Sequence, residues 1–201
     1  EFRRVLFRSN YFTQNGVTPV SALRGFLVAA LIIAPGMLQF GWQGFWVSCL
    51  CVFVMWAYSA PPLRLKSRPG LDLPIHALFV ETFPYVLVMY LLNLGWDQLD
   101  WVILGLGVMA SLTAQLEQQL RDFEIDQAHG EVTFTLWIGA EWALFLLKMV
   151  SIVMVIYGLI FTALGIIPLW IAPIGLCAVP AVLSRLVRQP GEPRPEHLIR
   201  P

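Results

Sequence analysis

The chain has 201 residues, of which 58% are hydrophobic and only 13% are charged, and its 13 basic side chains balance its 13 acidic ones. A soluble globular domain carries about a quarter charged residues, so this composition excludes an ordinary soluble domain and indicates a membrane protein. The balanced charge excludes nucleic acid as a partner, because phosphate binding needs a basic excess on one face.

The opening residues 1–9, EFRRVLFRS, match nothing that follows, and we expect them to be a remnant of cloning or of sequence assembly. Apolar runs follow, each long enough for a helix to cross or nearly cross the hydrocarbon core of a bilayer. There are six, at about 20–39, 42–58, 74–94, 101–119, 138–161 and 164–184. The sequence therefore predicts an all-α, polytopic transmembrane bundle, forming one domain over residues 10–201 with a polar tail at 185–201.

The basic residues are distributed unevenly between the connecting segments. The segments 59–72 and 120–137 and the tail are long and charged, whereas the short turns between the other spans contain no Lys or Arg. Under the positive-inside rule, this asymmetry places both long loops and both termini of the chain on the cytoplasmic side. We expect a multi-pass protein, surrounded by membrane lipids, in a cell membrane or a plastid-type inner membrane.

A polar stripe continues the fourth apolar run, with residues that recur at steps of three or four and so share one face of a continuous helix. The stripe consists of Ser111, Gln115, Gln119, Asp122 and Asp126. The carboxylates of Asp122 and Asp126 would lie one turn apart and repel each other unless a cation intervenes, and Mg²⁺ prefers such oxygen ligands. The competing interpretation is a helix end entering water, with Glu117 and Arg121 as an ordinary i,i+4 pair.

The segment YSAPPLRLKSRPGLD, residues 58–72, is the second polar feature. Pro61 and Pro62 favour extended backbone, in which Arg64, Lys66 and Arg68 project to one side as a cluster suited to a diphosphate. The alternative is a basic loop that serves topology and lipid head groups. Because the predicted topology puts this segment on the same membrane side as the polar stripe, the two features complement each other.

Two segments resemble the UbiA superfamily of intramembrane prenyltransferases. YSAPPLRLKSRPGLD resembles the loop after the superfamily's fourth helix, and QQLRDFEIDQAHGEVTFTLWIG, residues 118–139, resembles its second aspartate-rich motif, D-x-x-x-D followed by G and T. The resemblance implies a bundle of about nine membrane-spanning helices, of which about six are present. It also implies Mg²⁺-dependent transfer of a prenyl group from an isoprenoid diphosphate to a lipophilic acceptor, which is aromatic, a tetrapyrrole or an isoprenoid.

The resemblance assigns roles to individual residues. Asp122 and Asp126 would hold Mg²⁺, and Lys66 and Tyr58 would contact the diphosphate. The remaining candidates for substrate binding are three arginines from the matched segments and three polar residues within apolar runs, where such groups normally face a cavity. They are Arg64, Arg68, Arg121, Gln115, Gln119 and Glu81.

The first aspartate-rich motif of the superfamily, N-D-x-x-D, has no counterpart. NYFTQNG at residues 10–16 contains no carboxylate, so either the motif was removed with a missing N-terminal part or this homologue has lost it. Six spans in place of nine fit truncation, and we expect this chain to be a truncated form that is inactive by itself. A non-catalytic membrane protein and a transporter with a polar cavity on the cytoplasmic side are the alternative functions. A transporter predicts polar residues through both leaflets, whereas these spans are apolar in the half that faces the short turns.

Overall fold

A computed structural model of the chain describes residues 19–59, 62–63, 65 and 68–189; within these ranges it is mainly helical and contains no strand. The elements in chain order are α1 (Pro19–Leu38), α2 (Gly41–Ser59), α3 (Asp72–His76), a π-helix (Ala77–Thr82), α4 (Phe83–Leu91), α5 (Gln98–His129), α6 (Phe134–Ile138), α7 (Ala140–Ala163), a 3₁₀ turn (Leu169–Ile171) and α8 (Ala172–Val187). The all-α prediction is confirmed.

Several of these elements have the length and composition of membrane spans. Within the described residues they are Gly41–Tyr58, Asp72–Leu91, Gln98–Ala128 and Ala140–Ala163, with Pro173–Val187 as a shorter apolar helix. Large apolar side chains cover the outside of the protein, among them Trp142 and Leu159. An apolar surface of this extent is typical of contact with lipid, in agreement with a multi-pass membrane protein.

The chain divides into two compact units, Glu1–Cys51 and Val52–Pro201. In the described part of the first unit, a tight turn joins α1 to α2, and the Phe40 N–H donates to the Met37 carbonyl at 3.1 Å. Gly44 then passes so close to Met37 that an added Cβ would lie 1.8 Å from the same carbonyl oxygen. A glycine is therefore required at position 44.

In the second unit, α3, the π-helix and α4 form one helical run whose register changes ahead of Pro84. Proline has no N–H to donate to the carbonyl one turn earlier, and a wide π turn is a common way to accommodate such a defect. The Thr82 hydroxyl lies 2.7 Å from the Ala77 carbonyl and 2.9 Å from the Leu78 carbonyl, so its proton serves both acceptors.

The long helix α5 has well-defined ends. At its start, Asp97 and Asp100 form a capping box in which each carboxylate accepts the other's backbone N–H, at 3.0 and 2.8 Å. At its end, Gly130 has φ 66°, the left-handed conformation that favours glycine as a C-cap. The segment 120–137, predicted as a charged connection between spans, is largely helical, because α5 continues to His129 and α6 begins at Phe134.

The last predicted span also needs correction. It was expected to begin at residue 164, but α8 begins at Ala172, after a turn at Gly165 with φ 74° and the 3₁₀ turn Leu169–Ile171. Pro168 favours this interruption because proline disfavours helical backbone in the residue before it. At the other end α8 runs to Val187, so the first residues assigned to the polar tail are helical.

The buried core of the second unit lies where α3, α5 and α7 meet. It consists of Leu73, Leu116, Leu144 and Leu147, each at most 4% exposed, with Phe134 of α6 packed against it. Leu73 follows Asp72 directly, and Leu116 lies between Gln115 and Gln119 on α5. The same packing that buries these leucines therefore fixes the polar residues beside them.

We predict that Gly105→Ala destabilises the protein relative to Gly107→Ala, its matched control on α5. A Cβ on Gly105 would lie 2.5 Å from the Tyr157 hydroxyl oxygen, whereas a Cβ on Gly107 would meet its nearest atom at an ordinary 3.8 Å. Both changes gain about 0.8–1 kcal/mol of helix propensity, so the difference between them isolates the contact with α7. Thermal unfolding in detergent, followed by circular dichroism, measures it; equal midpoints would contradict the close approach.

Candidate functional site

The polar stripe lies on α5 as the sequence predicts, because this helix is continuous over the whole stripe. Its residues become more exposed toward the end of the helix. Ser111, Gln115 and Gln119 are 1%, 9% and 6% exposed, while Asp122 and Asp126 are half-buried. The first three face the interior of the protein rather than lipid, so a helix end fraying into water does not account for them.

Asp72, which the sequence analysis did not select, is the most heavily bonded side chain next to this stripe. It is 1% exposed. Its Oδ2 accepts from Gln119 Nε2 at 2.7 Å and from the Phe134 N–H at 3.0 Å, and its Oδ1 accepts from the Gly70 N–H at 3.1 Å. This carboxylate therefore joins the end of the basic segment to α5 and to the start of α6.

Gln119 completes the connection through the other end of its amide. Its Oε1 accepts from the Thr135 N–H at 3.2 Å, and Thr135 is fully buried. The first N–H groups of a helix have no partner within the helix, and here Asp72 and Gln119 supply the acceptors for Phe134 and Thr135. The predicted contact of Gln119 with substrate stays a prediction, beside this structural role.

A second contact joins α3 to the polar stripe, deeper in the protein. His76 lies one turn after Asp72, and its Nδ1 is 3.3 Å from the Ser111 hydroxyl. This contact places His76 against α5. Gln115 lies between the two contacts along α5 and is 9% exposed.

The two predicted metal ligands, Asp122 and Asp126, lie one turn apart on the exposed end of the polar stripe. Arg121 forms an ion pair with Asp122 at 3.1 Å, with side chains 44% and 33% exposed. Exposed pairs of this kind contribute at most about 1 kcal/mol, so Arg121 does not lock Asp122 away from another partner. The described residues contain no group of three or more His, Cys, Asp or Glu side chains that could hold a metal.

Parts of the basic segment lie outside the described residues, including the predicted diphosphate ligands Arg64 and Lys66. Arg68 is described and exposed, and its Nε donates to the Leu63 carbonyl at 3.1 Å. Tyr58, at the end of α2, lies within electrostatic range of the Asp72 carboxylate. The side chain of Glu81 is outside the described residues, although its backbone belongs to the π-helix.

A second polar cluster lies on a different face of α5. Arg185 of α8 forms an ion pair with Glu117 at 3.0 Å and donates to the Thr113 hydroxyl at 3.2 Å; the charged side chains are only 15% and 19% exposed. Sequence spacing paired Glu117 with Arg121 instead. The signal that was available is that Arg185 follows an apolar run, where a buried arginine needs a carboxylate partner.

Together these observations define a polytopic helical membrane protein with a polar, carboxylate-bearing site at one end of its longest helix. The family model described as UbiA prenyltransferase family matches residues 12–198, almost the whole chain. The chain is a member of this family of membrane prenyltransferases, and the resemblance seen in the sequence is confirmed. Comparison with curated proteins and with solved structures found no match.

We predict that Arg185→Met destabilises the fold by about 1–3 kcal/mol, because a partly buried charge-assisted interaction is lost. Glu117→Gln should have a similar effect, and the double variant should lose less than the sum, with a coupling of about 0.5–3 kcal/mol for side chains in direct contact. A double-mutant cycle measures this coupling: the thermal unfolding of the unmodified protein, the two single variants and the double variant is compared in detergent. Arg24→Met, at an exposed position on α1, serves as the control, and additive effects would contradict the pair.

Proposed function

We propose that this chain provides the catalytic core of an enzyme that transfers a prenyl group, within the membrane, from an isoprenoid diphosphate to a lipophilic acceptor that is aromatic, a tetrapyrrole or an isoprenoid. The observation that carries the proposal is the Asp72–Gln119 hydrogen bond of 2.7 Å. It ties the end of the basic segment to a point one helical turn before Asp122. This supports the proposal because Arg68, four residues before Asp72, is thereby tied to the end of α5 that carries Asp122 and Asp126.

Asp122 and Asp126 would hold Mg²⁺. Their oxygen donors fit the cation, which typically takes only one or two protein carboxylates and completes its coordination with water and substrate phosphate oxygens. A third protein ligand from the described residues is not needed for that kind of site. When bound, the cation supplies positive charge beside the diphosphate and so stabilises it as a leaving group.

The basic side chains of the chain would bind the diphosphate itself. Lys66 provides a compact charge, while Arg64, Arg68 and Arg121 provide planar guanidinium groups that donate two hydrogen bonds to neighbouring phosphate oxygens. The Tyr58 hydroxyl would donate to an oxygen of the leaving diphosphate. Fixed donors of this kind stabilise the negative charge that accumulates on the diphosphate as its bond to carbon lengthens.

In the reaction, the bond between the allylic carbon and the diphosphate oxygen breaks, and its electron pair leaves with the diphosphate. A nucleophilic atom of the acceptor then forms a bond to that carbon, and the acceptor releases a proton. Gln115 and Glu81 are the proposed contacts for substrate deeper in the bundle. The apolar surroundings keep water away from the electron-deficient carbon, which water would otherwise capture.

The proposed orientation follows from charge. Residues 59–72, the end of α5 and the residues after α8 contain most of the Lys and Arg residues, so we place this side of the bundle in the cytoplasm, where diphosphates are dissolved. The prenyl chain and acceptor enter from the lipid, and the membrane is a cell membrane or a plastid-type inner membrane. Residues 10–201 act as a single prenyltransferase domain.

We predict that Asp122→Ala and Asp126→Ala each lower kcat/KM for prenyl transfer about 100-fold or more, the typical cost of losing charge stabilisation in a transition state. Chelation of Mg²⁺ should abolish transfer, and added Mg²⁺ should restore it. The assay measures the transfer of radiolabel from an isoprenoid diphosphate to a lipid-extractable product. It uses membranes from cells that express the whole reading frame in which these residues occur.

Glu124→Ala is the matched control for these variants. Glu124 is an exposed carboxylate between the two aspartates in sequence, but a step of two residues turns it away from their face, so the activity should be unchanged. Prenyl transfer that persists without Mg²⁺, or that tolerates both aspartate substitutions, would reject the mechanism.

A further inference from the structure

The Asp72 carboxylate is buried at a depth where charge is costly. A group that is 1% exposed has lost its hydration, and in proteins such a group is retained when hydrogen bonds replace the lost water. Asp72 has three such bonds, all from N–H donors, at 2.7, 3.0 and 3.1 Å. Because all three neighbours donate, both oxygens of the Asp72 side chain act as hydrogen-bond acceptors.

The three donors come from three different parts of the second unit. Gly70 belongs to the basic segment, Gln119 to α5, and Phe134 to the first turn of α6. Gly70 has φ 88°, a conformation that turns the chain sharply between Arg68 and Asp72. The Leu71 and Asp72 N–H groups both donate to the Arg68 carbonyl, at 3.1 and 3.2 Å, so the turn is tied to Arg68 as well.

These bonds determine how the basic segment approaches the carboxylate end of α5. Arg68 is fixed through the turn to Asp72, Asp72 is fixed to Gln119, and Gln119 lies one helical turn before Asp122. A change at Asp72 should therefore alter the spacing between Arg68 and Asp122 without removing either of them.

We propose that Asp72 and Gln119 are positioning residues for diphosphate binding, which hold Arg68 at the distance from Asp122 and Asp126 that a diphosphate with its Mg²⁺ can bridge. This inference rests on the proposed function. Neither residue needs to touch the substrate in this role; each acts through the groups that do.

The substitution Asp72→Asn separates this role from general folding. An asparagine oxygen in the place of Oδ2 keeps the bonds from Gln119 and Phe134, and then the amide NH₂ group faces the Gly70 N–H, donor against donor. The lost hydrogen bond is therefore confined to the one between residue 72 and Gly70, at the end of the basic segment. Ser151→Ala is the matched control, since it removes a fully buried hydroxyl bonded to the Leu147 carbonyl at 2.8 Å, away from this network.

The measurement is the affinity of the purified protein for inorganic pyrophosphate with Mg²⁺, by isothermal titration calorimetry in detergent. We expect Asp72→Asn to weaken binding about tenfold, the lower end of what loss of a supporting hydrogen bond costs at metal sites. Ser151→Ala should leave the Kd unchanged even if it lowers the unfolding temperature. An unchanged Kd for folded Asp72→Asn would overturn the proposal.

A second variant decides the question if Asp72→Asn does not fold. Gly70→Ala strains the same turn, because alanine disfavours positive φ, yet an added Cβ would meet nothing within 4 Å. Gly165→Ala is its control, at a turn with φ 74° and equally open surroundings. Weaker pyrophosphate binding by Gly70→Ala alone supports the proposal, and equal binding by both variants overturns it.

The results for the unmodified protein distinguish a failure of the proposed function from a failure of the positioning role. If unmodified protein, expressed as the whole reading frame in which these residues occur, fails to bind pyrophosphate and to transfer a prenyl group, the proposed function itself is wrong, and so is the positioning role. If unmodified protein does both and the Asp72 and Gly70 variants match it, only the positioning role is wrong.

Discussion

The burial of one carboxylate, that of Asp72, constrains the part of the fold that carries the polar site. An ionised group removed from water must find donors of equal strength nearby, and these donors must stay in place for the charge to be tolerated. Here they come from the basic segment, from α5 and from the start of α6. The cost of burying the charge is therefore also the reason why these three segments keep a fixed arrangement.

The helix α5 is the element through which the second unit is organised. One of its faces meets α3 and α6 through Ser111 and Gln119, and another meets Arg185 of α8 through Thr113 and Glu117. Between these polar contacts, Leu116 packs into the leucine core shared with α3 and α7. Polar bonds and apolar packing together therefore hold α3, α6, α7 and α8 against α5.

The sequence was sufficient for features that depend on local pattern. Apolar runs located most of the helices, and steps of three and four placed Gln115, Gln119 and Asp122 on one face, because helical period is a property of neighbouring residues. The sequence was insufficient where a side chain bonds to a residue that is distant in the chain. Asp72 bonds across 47 residues to Gln119, and Arg185 pairs across 68 residues with Glu117; no spacing rule connects such positions. The π-helix and the late start of α8 were also missed, since proline disturbs a helix without specifying how it recovers.

The length of α5 explains why the site lies where it does. Its 32 residues extend about 48 Å at 1.5 Å per residue, well beyond the ~30 Å hydrocarbon core of a bilayer. The buried stripe from Ser111 to Gln119 therefore changes into the half-exposed pair Asp122 and Asp126 near the membrane boundary. In the proposed reaction, this gradient matches the substrate itself: the diphosphate stays among charges and water at one end, while the prenyl chain lies in the apolar bundle. The bond to be broken is then held where the two environments meet.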